Sequence, residues 1–392
     1  MTIINARMNM KKVMILIAAA IMVVANCTAK SERQVNAETV VNITKFGAKG
    51  DGKKIATKAI NKAIEKAEPG AKVVIPAGKY LTGTIVLKSN ITLVLDDGAE
   101  LIGVDDIDAY SSYKPMRDMS RYDTGEGTRN SNMASDERWT KALILGVGLD
   151  NVRITGKGLI NGSHVSDSLG EENMRGPHTI LLAECSNVTV EGVSITCASN
   201  YAVLGYELKK CTFAAMNITQ GWDGIHIRGC EDVAIKDCDI STGDDAIAGG
   251  YWNGMLIDGC KLNSSCNGIR MIEPSINLEI GNCSISGPGR FPHRTSGAAK
   301  RTSSIYGIVL EPGAWGDAPG HTENVYIHDV KIDNLLSPIV YSMGENNTCS
   351  GLTIENVVAT HITYNTTPLN RQDCVRMWDN IAIKNMVVRK GE

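Results

Sequence analysis

Three aspartates are the first residues in this sequence whose types and spacing could do chemistry. Asp223 precedes the string Gly224-Ile-His-Ile, and Asp244-Asp245 precedes Ala246-Ile-Ala. Asp223 and Asp245 are 22 residues apart, and the same step reaches Tyr201 on one side and Asn267 on the other. If 22 residues complete one turn of a stacked parallel chain, positions one period apart sit about 4.8 Å from each other on neighbouring turns. Three carboxylates would then crowd one outer face, and their repulsion would raise the pKa of at least one. An acid beside a base is what hydrolysis of a glycosidic bond requires. Aspartate pairs also satisfy turn amides, and Asp96-Asp97 and Asp105-Asp106 read that way, since neither has a third aspartate one period away in this register.

The elements that must position these residues are repeats. Segments with one grammar recur, among them Asn187-Val-Thr-Val-Glu-Gly-Val-Ser-Ile, Asp232-Val-Ala-Ile-Lys-Asp-Cys-Asp-Ile and Asn277-Leu-Glu-Ile-Gly-Asn-Cys-Ser-Ile. Each is two short strings of alternating burial around a polar turn, and a further string such as Gly224-Ile-His-Ile or Gly268-Ile-Arg-Met lies between them. A period near 22 with three strands per turn predicts an all-β, single-domain, right-handed parallel β-helix, a solenoid. Ile225, Ile247, Ile269 and Ile308 form one inward ladder, which turns His226, Arg228 and Arg270 outward into the groove that holds the aspartates. An open end of such a stack needs a cap, and Ala56–Ala67 supplies an N-terminal capping helix, with Ile60, Ala63, Ile64 and Ala67 on one face. The long excursions, 105–138 and 287–304, are placed to wall a cleft. Gly47–Lys53 resembles a phosphate-binding loop, but Lys54 stands where Ser or Thr should ligate magnesium, so it reads as a turn opening the first coil.

Composition supports this reading. The chain has 392 residues, 39 of them glycine and 3 phenylalanine, which is poor material for an aromatic-filled globular core. With 40 basic and 43 acidic residues there is no field to draw a polyanion, and nucleic acid is excluded as a partner. Met10-Lys-Lys followed by a thirteen-residue apolar run, Val13 to Ala25, reads as an export signal too short to span a bilayer. Val24-Ala25-Asn26-Cys27 resembles a bacterial lipobox, with Cys27 as the lipidated residue. The expected organisation is a signal segment 1–27, a tether 28–39 and a catalytic β-helix 40–392. The expected location is the periplasm or outer membrane of a Gram-negative bacterium, with secretion as the alternative and the lipid anchor as the sole membrane contact. Cys238, Cys260 and Cys283 share a repeat position with Val193, Met216, Val330, Val357 and Met386, so they read as free core thiols.

Specific segments carry a family likeness. Phe46-Gly-Ala-Lys-Gly-Asp-Gly52, Val74-Ile-Pro-Ala-Gly-Lys-Tyr80, Leu93-Val-Leu-Asp-Asp-Gly-Ala99, Trp222-Asp-Gly-Ile-His-Ile and Gly243-Asp-Asp-Ala-Ile-Ala resemble glycoside hydrolase family 28, the polygalacturonases and their relatives. The resemblance implies hydrolysis of pectin or a related galacturonate- or galactose-containing glycan, by a monomer with no metal or organic cofactor. Asp244 would be the general acid, and Asp223 with Asp245 would activate water, inverting the anomeric carbon.

Three departures stand out. The family's Asn-Thr before the first aspartate is Gly221-Trp222, its Gly-His-Gly is Cys266-Asn267-Gly268, and its Arg-Ile-Lys, which holds the sugar carboxylate, is Val309-Leu310-Glu311. Arg270, one coil from the missing arginine, is the candidate replacement clamp. Arg290, His293, Arg294, Lys300 and Arg301 are further cations on the second excursion. Trp222, Tyr251, Trp252 and Trp315 are candidate stacking faces for pyranose rings, and Tyr201, His226, Arg228 and Asn267 complete the expected substrate groove. The competing readings are a β-helix polysaccharide lyase with calcium on the aspartates, and a non-catalytic glycan-binding β-helix.

Overall fold

The computed structural model describes residues 39–123, 132–314, 318–364 and 376–391. The signal segment, Cys27, the tether up to residue 38 and Trp315 lie outside the described residues. Val40–Glu392 forms one compact unit. Among the described residues no helix is long and apolar enough to cross a membrane.

The chain winds as a parallel β-helix with three strands per coil. Ile225–Lys236 bends at Gly229 and Cys230 to serve two faces, and Asp239–Thr242 makes the third. The next coil repeats this with Ile247–Asp258 and Lys261–Ser264, and the next with Asn267–Met271, Ile276–Gly281 and Ser284–Ser286. Successive coils pair in parallel, with Ile225 opposite Ile247, Ile247 opposite Ile269 and Ile269 opposite Ile308. All four isoleucines are fully buried. Each such side chain withdrawn from water contributes roughly 1.5–3 kcal/mol, so the ladder accounts for much of the hold between coils.

The repeated Asn or Asp that opens each segment has a backbone cause. Asn151, Asn187, Asp232, Asn277 and Asn324 all adopt left-handed φ, between 52° and 56°. This is a conformation that short polar side chains tolerate better than others. Asn324 Nδ2 donates to Asn277 Oδ1 at 2.7 Å, so these corners also bond from coil to coil.

The cap is the helix Thr57–Lys66, which buries Ile60, Ala63 and Ile64 and ends where Ala67 turns extended. Cys238, Cys260 and Cys283 are buried on neighbouring coils, and the described cysteines are free thiols. The interior of the coil is mainly aliphatic, with Tyr80, Phe213 and Trp252 among its few aromatic residues. A second cluster lies outside it, where Tyr113 and Tyr122 of the first excursion and the following Trp139 meet Tyr201, Tyr206 and Trp222 on the coils.

Candidate active site

The ladder read from the 22-residue spacing is continuous in the backbone. Ala202 N donates to Asp223 O, Gly224 N to Asp245 O and Ala246 N to Asn267 O, at 2.9 to 3.0 Å. Asp223 and Asp245 therefore start adjacent strands on one face, and Asp244 N donates to Trp222 O at 3.3 Å. Asp223 and Asp245 are 3% and 4% exposed, whereas the Asp244 side chain keeps 15%.

Each carboxylate has a different set of partners. Asp223 Oδ2 lies 2.7 Å from His226 Nδ1. Asp245 Oδ1 accepts from Asn267 Nδ2 at 2.6 Å, and its Oδ2 is 3.7 Å from Arg270. Asp244 Oδ2 is 3.3 Å from His293 Nε2 and 3.6 Å from Arg175. Burial, then the charges of Asp244 and Asp245, push the Asp223 carboxyl well above the usual range. Burial also raises Asp245, with Arg270 working against the rise. Burial opposes the charge on Asp244 as well, but the hydrogen bond from His293 and the Arg175 guanidinium outweigh it and hold this carboxyl well below the usual range. His226 is buried beside Arg228 and stays neutral, its pKa pushed well below the ordinary value. The surroundings thus favour the charge on Asp244 and disfavour it on Asp223, so the proton is drawn away from the residue that the family resemblance makes the acid.

Arg175 and His293 arrive on excursions. His293 belongs to the second one, which is fastened to the coil by Ser265 Oγ donating to Phe291 O and Arg301 Nη1 donating to Ser265 O. Gly243 allows this approach, since a Cβ there would stand 2.7 Å from Pro292 O. Arg175 comes from the stretch between Leu159–Asn161 and His178–Ala183, which the sequence pattern did not mark as a cleft wall. It pairs with Glu171 and Glu172 at 3.4 and 3.1 Å and lies 3.7 Å over the Trp222 ring. Glu171 is itself buried, which raises its carboxyl to about 7 against the pull of Arg175. His178, also not foreseen, accepts from Tyr201 N at 3.3 Å, and its burial lowers its pKa to about 3. The sequence signal for Arg175 and Glu171 was weak, because both fall on a stretch outside the repeat. His178, by contrast, stands one coil before Tyr201 in the register of the aspartates, with Thr179 N donating to Tyr201 O as Ala202 N does to Asp223 O, and one further step of the count would have found it.

Several expected groove residues are placed elsewhere. Trp222 is not an open stacking face: its ring is wholly buried beneath Arg175, and its Nε1 donates to Ser199 O. Arg228 does not face the groove either, because Tyr122 and Glu273 enclose it in a 2.6 Å ion pair and a 2.7 Å bond to Tyr122 O. Trp252 is core, with Nε1 donating to Ile227 O. Tyr251 lies under Arg121 beside Tyr122, at the sealed bend of the coil. Tyr201 is buried and stacks on His226, with ring centroids 4.7 Å apart. Arg270 is held between Asp245 and the charge of Glu311, so as a carboxylate clamp it is already matched. Arg290 and Lys300 are exposed, while Arg301 and Arg294 are half-buried.

Asp244, Asp245 and Cys266 offer ligand atoms within 4.8 Å of one another. The set does not suit calcium, which prefers oxygen ligands to a thiol. Arg175, His293 and Arg270 also already attend its two carboxylates.

A parallel β-helix with acidic residues meeting at the start of adjacent strands defines the class. The chain belongs to the family described as rhamnogalacturonase A/epimerase, pectate lyase-like, whose model matches residues 40–290, and it is polygalacturonase-like, similar to the proteins of glycoside hydrolase family 28. An exo-poly-alpha-D-galacturonosidase of Dickeya chrysanthemi is 27% identical over 270 residues, covering 58% of this chain and 44% of that protein. A probable polygalacturonase of Vitis vinifera is 27% identical over 217 residues, covering 53% and 43%. The chain thus spans less than half the length of these two relatives. The solved family 28 exopolygalacturonase of Yersinia enterocolitica superposes with a TM-score of 0.55 at 18% identity, covering 91% of this chain and 79% of that one. The shared fold is the right-handed parallel β-helix expected from the repeat.

Proposed function

We propose that this chain is a glycoside hydrolase acting on pectin-type glycans that contain galacturonate or a related galactose unit. The observation that carries the reading is the meeting of Asp223, Asp244 and Asp245 with proton affinities driven in opposite directions. Asp244, the most accessible of the three, protonates the leaving oxygen. It takes the proton held in the free site by Asp223 once substrate loosens its contacts with Arg175 and His293. Asp223 and Asp245 then position and activate water for attack with inversion. Asn267 orients Asp245 without titrating, and His226 orients Asp223. The names of the relatives, a galacturonosidase and a polygalacturonase, support this substrate class.

Asp244→Asn is expected to lower kcat on oligogalacturonides by about a thousandfold or more, with the unfolding temperature unchanged. Anomeric NMR of the wild-type reaction reads the stereochemistry. Undiminished turnover in the variant would remove Asp244 from the mechanism, and an ultraviolet-absorbing unsaturated product would replace hydrolysis with elimination. We also propose export with a lipid on Cys27, which metabolic labelling with palmitate tests, since an unlabelled wild-type protein excludes the anchor.

A further inference from the structure

We infer that Arg294, steadied by His164, is the group that recognises the carboxylate of a uronic acid at this site. The inference rests on the hydrolase reading for the ligand class, and on the structure alone for the residue.

The cations around the aspartates differ in how far they are matched. Arg175 has Glu171, Glu172 and Asp244, Arg270 has Asp245 with Glu311 nearby, and Arg228 has Glu273. Arg301 donates to the carbonyls of Ser265 and Ser303. Arg294 is half-buried, and among the described residues no carboxylate lies within ion-pair distance of it. Its Nη1 donates to His164 Nδ1 at 2.9 Å, and His164 Nε2 faces Gln220 Oε1 at 3.2 Å. That arrangement fixes one tautomer: a neutral His164 accepts from the arginine and donates to the glutamine. Burial, followed by the charge of Arg294, keeps the pKa of His164 below its ordinary value, which agrees with the neutral form.

The result is a guanidinium held from one side by a neutral acceptor, with its other donors uncommitted. Burial disfavours its charge, the neighbouring Cys197 works against that, and Arg175 adds to it, so that its pKa falls below the ordinary value. An anion that docks there relieves that cost and can accept two parallel N–H bonds.

Position completes the argument. Arg294 follows His293, whose ring touches Asp244, and its guanidinium lies 5.7 Å from the Trp222 ring, beside Asp223 in the chain. His164 and Gln220 follow the ends of the third-face strands Leu159–Asn161 and Asn217–Thr219, on the same rim. The guanidinium thus belongs to the same excursion as the residue that touches Asp244, on the side of the site where a bound sugar's substituents would be read.

The test uses full-length Asp244→Asn protein, which holds substrate without turnover, and two probes, trigalacturonate and its fully methyl-esterified form. Calorimetry is expected to show tighter binding of the free acid. Arg294→Gln in this background weakens trigalacturonate by about tenfold and the ester by less than about twofold. Arg294→Lys, which keeps the charge but not the fork, restores part of the loss. Equal losses on both probes, no loss, or no binding of trigalacturonate before Arg294 is changed would each overturn the assignment. Failure of the wild type to cleave any pectic oligosaccharide, alongside an acid-selective loss, would sink the hydrolase reading and leave the anion site standing.

Discussion

The strand Ile225–Lys236 carries a charge cluster at its start and another at its bend, and the two have opposite characters. At the bend, Arg228 and Glu273 pair one to one at 2.6 Å, capped by Tyr122, with both side chains almost fully buried. At the start, three aspartates share Arg175, Arg270 and two histidines, and one carboxylate remains open to solvent. His226 and Arg228 are alternate residues on the same strand face, so the pleat does not separate them. What lies over them does. The first excursion closes the bend with an aromatic cluster, while at the start the stretch ending at Arg175 and the second excursion leave the Asp244 side chain 15% exposed over the buried Asp223 and Asp245. A closed ion pair serves the fold. A cluster with more acids than it can keep ionised is prepared to move a proton.

The comparison breaks most severely if the bend is shown to take part in catalysis. Arg228→Met leaves Glu273 buried without its cation and is expected to cost about 3–5 kcal/mol of stability in chemical denaturation. The protein that remains folded should keep its kcat and KM. A stable variant with impaired turnover would mean that the bend faces substrate and that both ends belong to one groove.

The next effect reads the proton balance at the open end. Burial raises Glu171 from 4.5 to about 7, so the folded state binds its proton more tightly than the unfolded chain does. The resulting stabilisation is fully present below pH 4.5 and is lost as pH rises to about 7, a span worth about 3 kcal/mol. Glu171→Gln should flatten that segment of the stability profile, as measured by thermal unfolding across the range. A profile unchanged from wild type would show that Glu171 is ionised throughout.

His293→Gln acts on the charge of Asp244. Without the histidine, the carboxyl loses one of the groups that keep it low, so the alkaline limb of kcat, set by the general acid, moves to higher pH. The expected loss at the optimum is about tenfold, with stability within about 0.5 kcal/mol of wild type, because the residue stands on a surface excursion. A uniform loss with an unmoved pH profile would make His293 only a brace for the loop.

The coils were legible in the sequence because their causes are local and repeated. The isoleucine ladder follows from alternation, and the Asn and Asp corners follow from left-handed turns, so a period could be counted and Asp223 set beside Asp245. Arg175 and Glu171 were not legible, since an excursion between coils has no period and its return point depends on tertiary packing, while His178 opens a coil strand in the register of Tyr201 and was within reach of the same count. Trp222 and Arg228 show the complementary failure. Their outward direction was correct, but direction from a strand does not report whether another segment lies on top. Tyr251 was misjudged for the same reason, since Arg121 and Tyr122 of the first excursion lie against it, whereas Trp252 is turned into the core.

The smallest effect concerns the outer edge of the sealed bend. A cleft of 410 Å³ lies there, lined by Arg117, Arg121, Tyr251 and Asn253 among others. Arg121 lies 4.1 Å over the Tyr251 ring, but its side chain is 52% exposed and its ion pair with Glu207 spans 3.9 Å. Contacts of this kind contribute little in water, so Arg121→Ala is expected to cost less than about 1 kcal/mol. Turnover of short oligogalacturonides should not change, because Tyr122 and the Arg228 pair stand between this cleft and the interior of the bend. Turnover of polymeric pectin is the sharper readout. If the variant loses activity on the polymer while retaining it on the trimer, a long glycan extends over the bend, and the boundary between the two clusters holds for the chemistry but not for the substrate's path.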